Sequence, residues 1–294
     1  MVGGAVLSAR AFLNAAPREI GARNEISQWV VSAKLKSRYL LPMMAKPKAK
    51  ARDIHPVEVK FPWPPCPAFE LNLCQAARKA AADSQSAKPV LLRSSENLVP
   101  ARRLICRERD SLDFVPIICE GWAACAVTLA DSRRQILSFV LPGEIVSTGL
   151  LFEPKAYWQI EAITDVKYCA FNRTDLKEIL FKDLDLFAQF SKIRTEEQSR
   201  ADQLIVDLGR RAAEERIARL ILNLMDRLAM RGMAQGETMD FPLRQHHIAD
   251  ATGLTPVHVN KVLSEFRRGG LIKLSDRSLT ILDPVGFRRV GTMR

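Results

Sequence analysis

The chain has 294 residues, a formal net charge of +11, 47% hydrophobic residues and 26% charged residues. This balance is globular and excludes a wholly disordered chain, while the length suggests two domains with a tail. No apolar run approaches the ~20 residues that cross a bilayer, which excludes a helical membrane protein.

The charge is unevenly placed. Residues 1–60 carry a balance of +7, residues 61–240 one of −1 and residues 241–294 one of +5. A neutral body with basic ends points to a polyanion partner, nucleic acid or an anionic surface. The six cysteines, Cys66, Cys74, Cys106, Cys119, Cys125 and Cys169, form no C-x-x-C pair. Without a secretion signal, a disulfide framework is not expected. Residues 1–20 match a signal peptide poorly, and Arg10, Arg18 and Arg23 resemble a transit peptide only faintly, so the cytoplasm is expected.

Residues 1–41 show no sustained period, and Pro47, Pro56, Pro62, Pro64, Pro65 and Pro67 mark an extended linker. Residues 1–67 are read as a poorly ordered basic tail, or as the product of a start codon placed too early, since Met43 and Met44 stand at the linker. Residues 70–87 fit one short Ala-rich helix. Short apolar runs then follow at about ten residues per strand and turn. They are Phe114–Cys119, Ala123–Leu129, Arg134–Leu141, Gln159–Ile163 and Val166–Phe171, and they predict an antiparallel barrel or jelly roll.

From Asp183 the period becomes helical. Phe187, Phe190, Arg194, Gln198, Ala201, Leu204 and Leu208 form a stripe. It fits a helix packed on its own barrel or a two-helix seam between subunits. Gly209 is expected to break this helix. A second amphipathic helix is expected from Arg211 to Arg231, with Ile217, Leu220, Ile221, Leu224 and Leu228 inward and Gly232 and Gly236 at its end.

Gln245 to Val262 fits a helix-turn-helix position by position. Ile248 faces inward, Ala249 stands where the helices touch, and Gly253 takes the positive φ of the turn. Leu254 plugs the corner. Thr255 is placed as N-cap with Pro256 at the first helical position. Val259 and Val262 face inward, which leaves Val257, His258, Asn260, Lys261 and Ser264 outward. Thr252 holds a place usually filled by a larger apolar residue. The strands Leu271–Leu274 and Leu279–Leu282, joined through Ser275–Ser278, make a wing with Arg277 at its tip. Such a helix fits the major groove, and a helix N-terminus with Thr255 can hold a phosphate. The bland alternative is a helical hairpin that binds protein.

The segment LRQHHIADATGLTPVHVNKVLSEFRRGGLI with its hairpin resembles the C-terminal domain of the Crp/Fnr family of bacterial transcription regulators. ICRERDSLDFVPIICEGWAACAVTL and RRQILSFVLPGEIVSTGLLFE resemble the family's β-roll sensor domain, so the likeness covers about residues 90–290. It implies an α+β fold: an N-terminal antiparallel β-roll (jelly-roll-like sensor) over 68–182, a long dimerisation helix over 183–209, and a C-terminal winged helix-turn-helix over 210–294. It also implies a homodimer on a palindromic operator, with RNA polymerase as partner if the protein activates.

The resemblance puts DNA contacts on Arg244, Gln245, Thr255, Val257, His258, Asn260, Lys261, Ser264 and Arg277. It puts the dimer interface on Phe187, Phe190, Arg194, Ala201, Leu204 and Leu208. Val257 stands where the family usually has glutamate and Lys261 where it has arginine, so the familiar half-site does not carry over. The cyclic-nucleotide ribose glutamate falls near Thr148 and the Arg-Ser phosphate pair around Ala156-Tyr157, and no arginine lies between Gly149 and Asn172. Cys66 and Cys74 lack the tight third cysteine of an iron–sulfur site, and His246, His247 and His258 lie outside the β-roll, away from any haem there. No cofactor and no metal are therefore expected, and the effector is left open among a thiol redox signal and no ligand at all. No catalytic constellation appears, so an enzyme is not expected. The competing class is a sensor module that acts on a partner protein without sequence-specific DNA binding.

Overall fold

The computed structural model describes residues 94–292, together with Lys79. The tail and linker, the 70–87 helix, Cys66 and Cys74 lie outside the described residues.

Seven strands open the described chain: β1 Ser94–Val99, β2 Leu104–Cys106, β3 Phe114–Glu120, β4 Ala123–Thr128, β5 Arg134–Val140, β6 Gln159–Ala162 and β7 Val166–Asn172. They pair antiparallel into two sheets, ordered β1-β7-β3 and β2-β6-β4-β5. The five runs expected from sequence are β3 to β7. β1 and β2 were not anticipated. β1 reads Ser-Ser-Glu-Asn-Leu-Val, with no apolar face, and is held by its ladder to β7. β2 is only three residues long. A short 3-10 turn, Thr148–Leu151, lies between β5 and β6.

Two helices follow. In α1, Arg173–Lys182, the N-cap Asn172 side chain accepts from the Asp175 N–H. In α2, Leu184–Arg210, Asp183 does the same for Leu186. These caps satisfy otherwise orphaned N–H groups. α1 was missed in the sequence. α2 also runs through Gly209 rather than ending there, because glycine inside a helix costs only about 1 kcal/mol. Its last turn is held by ion pairs from Asp207 to Arg211 and Arg219.

The remaining elements are α3 Ala213–Ala229, β8 Ala234–Gln235, β9 Thr238–Asp240, α4 Gln245–Thr252, α5 Pro256–Arg268, β10 Ile272–Ser275, β11 Ser278–Ile281 and α6 Pro284–Thr292. β10 and β11 are the expected wing, slightly shifted. The β8–β9 hairpin widens it into a sheet of order β10-β11-β9-β8. α6 was not anticipated. Its Phe287 is fully buried and meets Phe266 edge to face, with centroids 5.3 Å apart, a favoured aromatic geometry.

Two hydrophobic cores result. One fills the barrel and takes in Leu186 and Phe190 from the start of α2. The other lies under the winged helix and reaches back to the barrel sheet. β4 joins them. Alternate side chains of a strand point to opposite faces; Ala123 and Cys125 enter the barrel core, while Ala124 and Ala126 enter the other. No described helix is long and apolar enough to cross a membrane.

Candidate nucleic-acid interface

The interface is built on α4 and α5. α4 begins without a side-chain oxygen cap. Instead the Arg244 N–H donates to His247 Nδ1 at 3.1 Å. That requires a neutral imidazole. Burial, followed by the charges of His246, Arg134, Arg244 and Arg102, pushes the His247 pKa down to about 4.

Ile248 and Ala249 are buried, as expected. Gly253 closes α4 at φ 66°, ψ 33°. A side chain there would be strained, and its Cβ would come 3.1 Å from Leu208 Cδ2, so the turn and the end of α2 pack without room for one. Thr252 is 3% exposed. Its hydroxyl donates to the Ile248 carbonyl at 2.7 Å, which explains how a polar residue is accepted there. Leu254 packs, partly buried, against the same core.

α5 starts as the sequence predicts. Thr255 Oγ1 accepts from the His258 N–H at 3.2 Å, and Pro256 occupies the first turn. Val259, Val262, Leu263 and Phe266 are buried. Their spacing sends the other face outward. Val257 is 80% exposed, and His258, Asn260 and Lys261 are exposed beside it. Ser264 is half-buried and accepts from Arg267. Gln245, on α4, donates to Asn260 Oδ1 at 2.9 Å. This bond ties the two helices across the outer surface and fixes which way the Asn260 amide presents.

The wing turn is tighter than expected. Asp276 and Arg277 have φ of 42° and 66°, the signature of a two-residue primed hairpin. Arg277 is exposed at the tip, and its carbonyl accepts from the Phe241 N–H. Gln245, Asn260, Arg267 and Arg277 line a cleft that Arg102 and Asp165 of the barrel also line. Arg102, Arg244, Arg267 and Arg277 outnumber its acidic residues, Glu161, Asp165 and Asp276.

The interface is anchored to the barrel by a buried cluster that the sequence did not reveal. Glu144 accepts from Arg227 Nε at 3.0 Å and the Leu141 N–H at 3.0 Å, and pairs with Arg231 at 2.9 Å. Arg227 also donates to the Phe139 carbonyl. Burial raises the Glu144 pKa, but the charge and hydrogen bonds of Arg227, with Arg231 and the Leu141 N–H, outweigh it and hold the carboxylate low. The sequence signal was Pro142-Gly143-Glu144, legible as a turn but not as half of an ion pair.

The barrel residues do not fit a cyclic nucleotide. Thr148 is completely buried, and its N–H and hydroxyl both donate to the Glu197 carboxylate of α2. Burial nonetheless lifts that carboxyl above its ordinary value. Ala156 is buried, Tyr157 is 65% exposed and Lys155 is exposed. None supplies the two-pronged grip a cyclic phosphate needs, and an anionic Glu197 would repel one. Among the described residues, no group of three His, Cys, Asp or Glu is placed to hold a metal.

On α2, the predicted interface stripe divides. Phe190 is 3% exposed, belongs to the barrel core and meets the exposed Phe152 edge-on. Phe187 is 40% exposed and stacks on Phe181. Arg194 and Ala201 are exposed, and Leu204 and Leu208 are half-buried. Ile205, not expected, is 70% exposed.

Residues 96–183 match the model of the cyclic nucleotide-binding domain and residues 215–290 that of the Crp-like helix-turn-helix domain. The chain is similar to the transcriptional activator protein FnrL of Cereibacter sphaeroides, 30% identical over 176 residues, which span 59% of this chain and 70% of that protein. The chain belongs to the Crp/Fnr family of transcription regulators. Like others of the Crp/Fnr family it is a DNA-binding regulator with an α+β fold. It is also 30% identical over 168 residues to the nitrogen fixation regulation protein FixK of Bradyrhizobium diazoefficiens, covering 57% of this chain and 69% of that one. Among solved Crp/Fnr structures, FixK2 from Bradyrhizobium japonicum superposes with a TM-score of 0.62 at 25% identity, covering 68% of this chain and 98% of that chain.

Proposed function

We propose that this regulator acts in the cytoplasm as a homodimer on double-stranded DNA, with one α5 in the major groove of each half of a palindromic operator. The supporting observation is the division of α5: four apolar residues packed inward, and Val257, His258, Asn260 and Lys261 displayed outward.

Asn260, steadied by Gln245, suits adenine. Lys261 suits guanine. Val257 suits a thymine methyl and cannot accept from cytosine. His258 adds a contact at the groove edge. Thr255 and the α5 N-terminus, Arg244, Ser264 and Arg277 serve the phosphates. The partner's α2 packs along Arg194, Ala201, Leu204, Ile205 and Leu208, with Phe187 at the seam's start. RNA polymerase is a partner if the protein activates. No catalytic role is assigned, and the β-roll modulates activity without a cyclic nucleotide.

Selection from random-sequence duplexes tests the reading. Enrichment of a palindrome that differs from the half-site expected of a Glu/Arg reader supports it. No enrichment at any salt concentration overturns it and leaves a protein-binding sensor module.

A further inference from the structure

Four cysteines lie in the barrel core, and strand order separates them into two kinds. Cys106 of β2 and Cys125 of β4 are both paired to Ile160 of β6. They therefore stand on strands two spacings apart, about 9.5 Å, beyond the roughly 7 Å across which a disulfide closes.

Cys119 and Cys169 differ. β3 and β7 are immediate neighbours, with Ile117 opposite Cys169 and Ile118 opposite Tyr168. The register slips between Ile118 and Glu120, so Cys119 occupies a bulge. A bulge re-aims its side chain. Here the Cys119 Sγ points to Cys169 Sγ at 3.2 Å, with both residues 4% exposed. Closing that gap to the ~2.05 Å of a disulfide needs a shift of roughly 1 Å.

We propose that Cys119 and Cys169 are a dithiol site that hydrogen peroxide converts to a cross-strand disulfide. One thiol gives up its proton and attacks the peroxide oxygen. The O–O bond breaks, leaving a sulfenic acid and water. The second sulfur then displaces the sulfenic oxygen, which leaves as a second water with the remaining thiol proton. Two electrons pass from the sulfur pair to the peroxide, and the S–S bond forms. Hydrogen peroxide is small enough to reach a site that opens only locally.

The placement gives the bond a consequence. Ile118, next to the bulge, accepts from the Gly143 N–H at 2.7 Å and donates to the Glu144 carbonyl at 2.9 Å. It therefore holds the turn whose Glu144 grips Arg227 and Arg231. A covalent tie at Cys119 pins the strand that carries the barrel's anchor to α3.

Peptide mapping tests the site. The reduced full chain is treated with hydrogen peroxide, blocked with iodoacetamide in denaturant, and cut after Glu120 and after Lys and Arg. The expected product is the peptide ending at Glu120 joined to Tyr168–Arg173, released by dithiothreitol. Cys125→Ala keeps this product, and Cys119→Ala and Cys169→Ala abolish it. Recovery of both cysteines as blocked thiols after treatment, or of Cys169 joined to any other cysteine, overturns the proposal. The wild-type map alone decides the matter if a variant does not fold.

Discussion

Glu144 and Arg227 form a buried ion pair across 83 residues, joining the turn after β5 to α3. Their side chains are 9% and 7% exposed. Charges removed from water are held only while they are paired, and Arg231 shares the Glu144 carboxylate.

Removing Glu144 strands the buried Arg227, and removing Arg227 leaves Glu144 with Arg231 and the Leu141 N–H alone. Arg227→Met is expected to cost about 3–5 kcal/mol, and Glu144→Gln nearly as much. Urea denaturation checks both. A loss below about 1 kcal/mol for Arg227→Met would mean that water reaches the site and Glu144 is not dry.

Thr148 and Glu197 make the matching prediction for the barrel. Calorimetric titration with cyclic AMP should give no binding heat, because the carboxylate already takes the Thr148 N–H and hydroxyl. Thr148→Val should lower stability by about 1 kcal/mol through the lost hydroxyl bond. Micromolar cyclic AMP binding by the wild type would contradict this account of the pocket.

His247 sets an acid dependence. Its folded pKa of about 4 lies below the ordinary 6.5, so between those values the unfolded chain binds more protons. The contribution is complete above pH 6.5 and is lost as pH falls towards 4. It amounts to about 3 kcal/mol at most. Urea midpoints measured from pH 7 to pH 4.5 should fall faster in the wild type than in His247→Asn, in which an uncharged amide oxygen takes over the Arg244 N–H. Equal slopes would show that His247 is solvated.

Base-reading and phosphate-holding residues separate by salt. Lys261→Ala is expected to weaken operator binding by about 1–3 kcal/mol and to relax preference at one base pair. Arg277→Ala should weaken all sequences alike and reduce the salt slope by about 1. Mobility shifts on the selected duplex and its single-base variants, across a salt series, distinguish the two. Unchanged base preference in Lys261→Ala would count against the assigned orientation of α5.

The proposed dimer seam rests on exposed apolar residues of α2. Ile205→Glu should turn a sedimenting dimer into a monomer with its fold kept, since Ile205 is 70% exposed in the protomer. Unaltered sedimentation would remove α2 as the seam.

Much of the fold was legible because local chemistry dictated it. Gly253, Thr255 and Pro256 each satisfy a backbone demand within a few residues, so the turn and the start of α5 could be read directly. β3 to β7 showed apolar runs bounded by turn signals. What stayed hidden depends on distant partners. β1 is polar and exists through β7. Glu144 and Arg227 each look like surface charges until the fold brings them together. Phe190 sat on a helical stripe whose period could not tell a barrel neighbour from a second subunit. α2 continues through Gly209 because ion pairs from Asp207 outweigh the glycine's weak preference.

Over residues 123–126, where three alanines and Cys125 are buried, β4 has no outside. Growth of any side chain there must push either the barrel's interior or the core under the winged helix. The exposed residues of α5 are free of this restriction. On the proposed reading, operator choice can therefore change one exposed side chain at a time, while the plate between the barrel and the winged helix tolerates almost no change in volume.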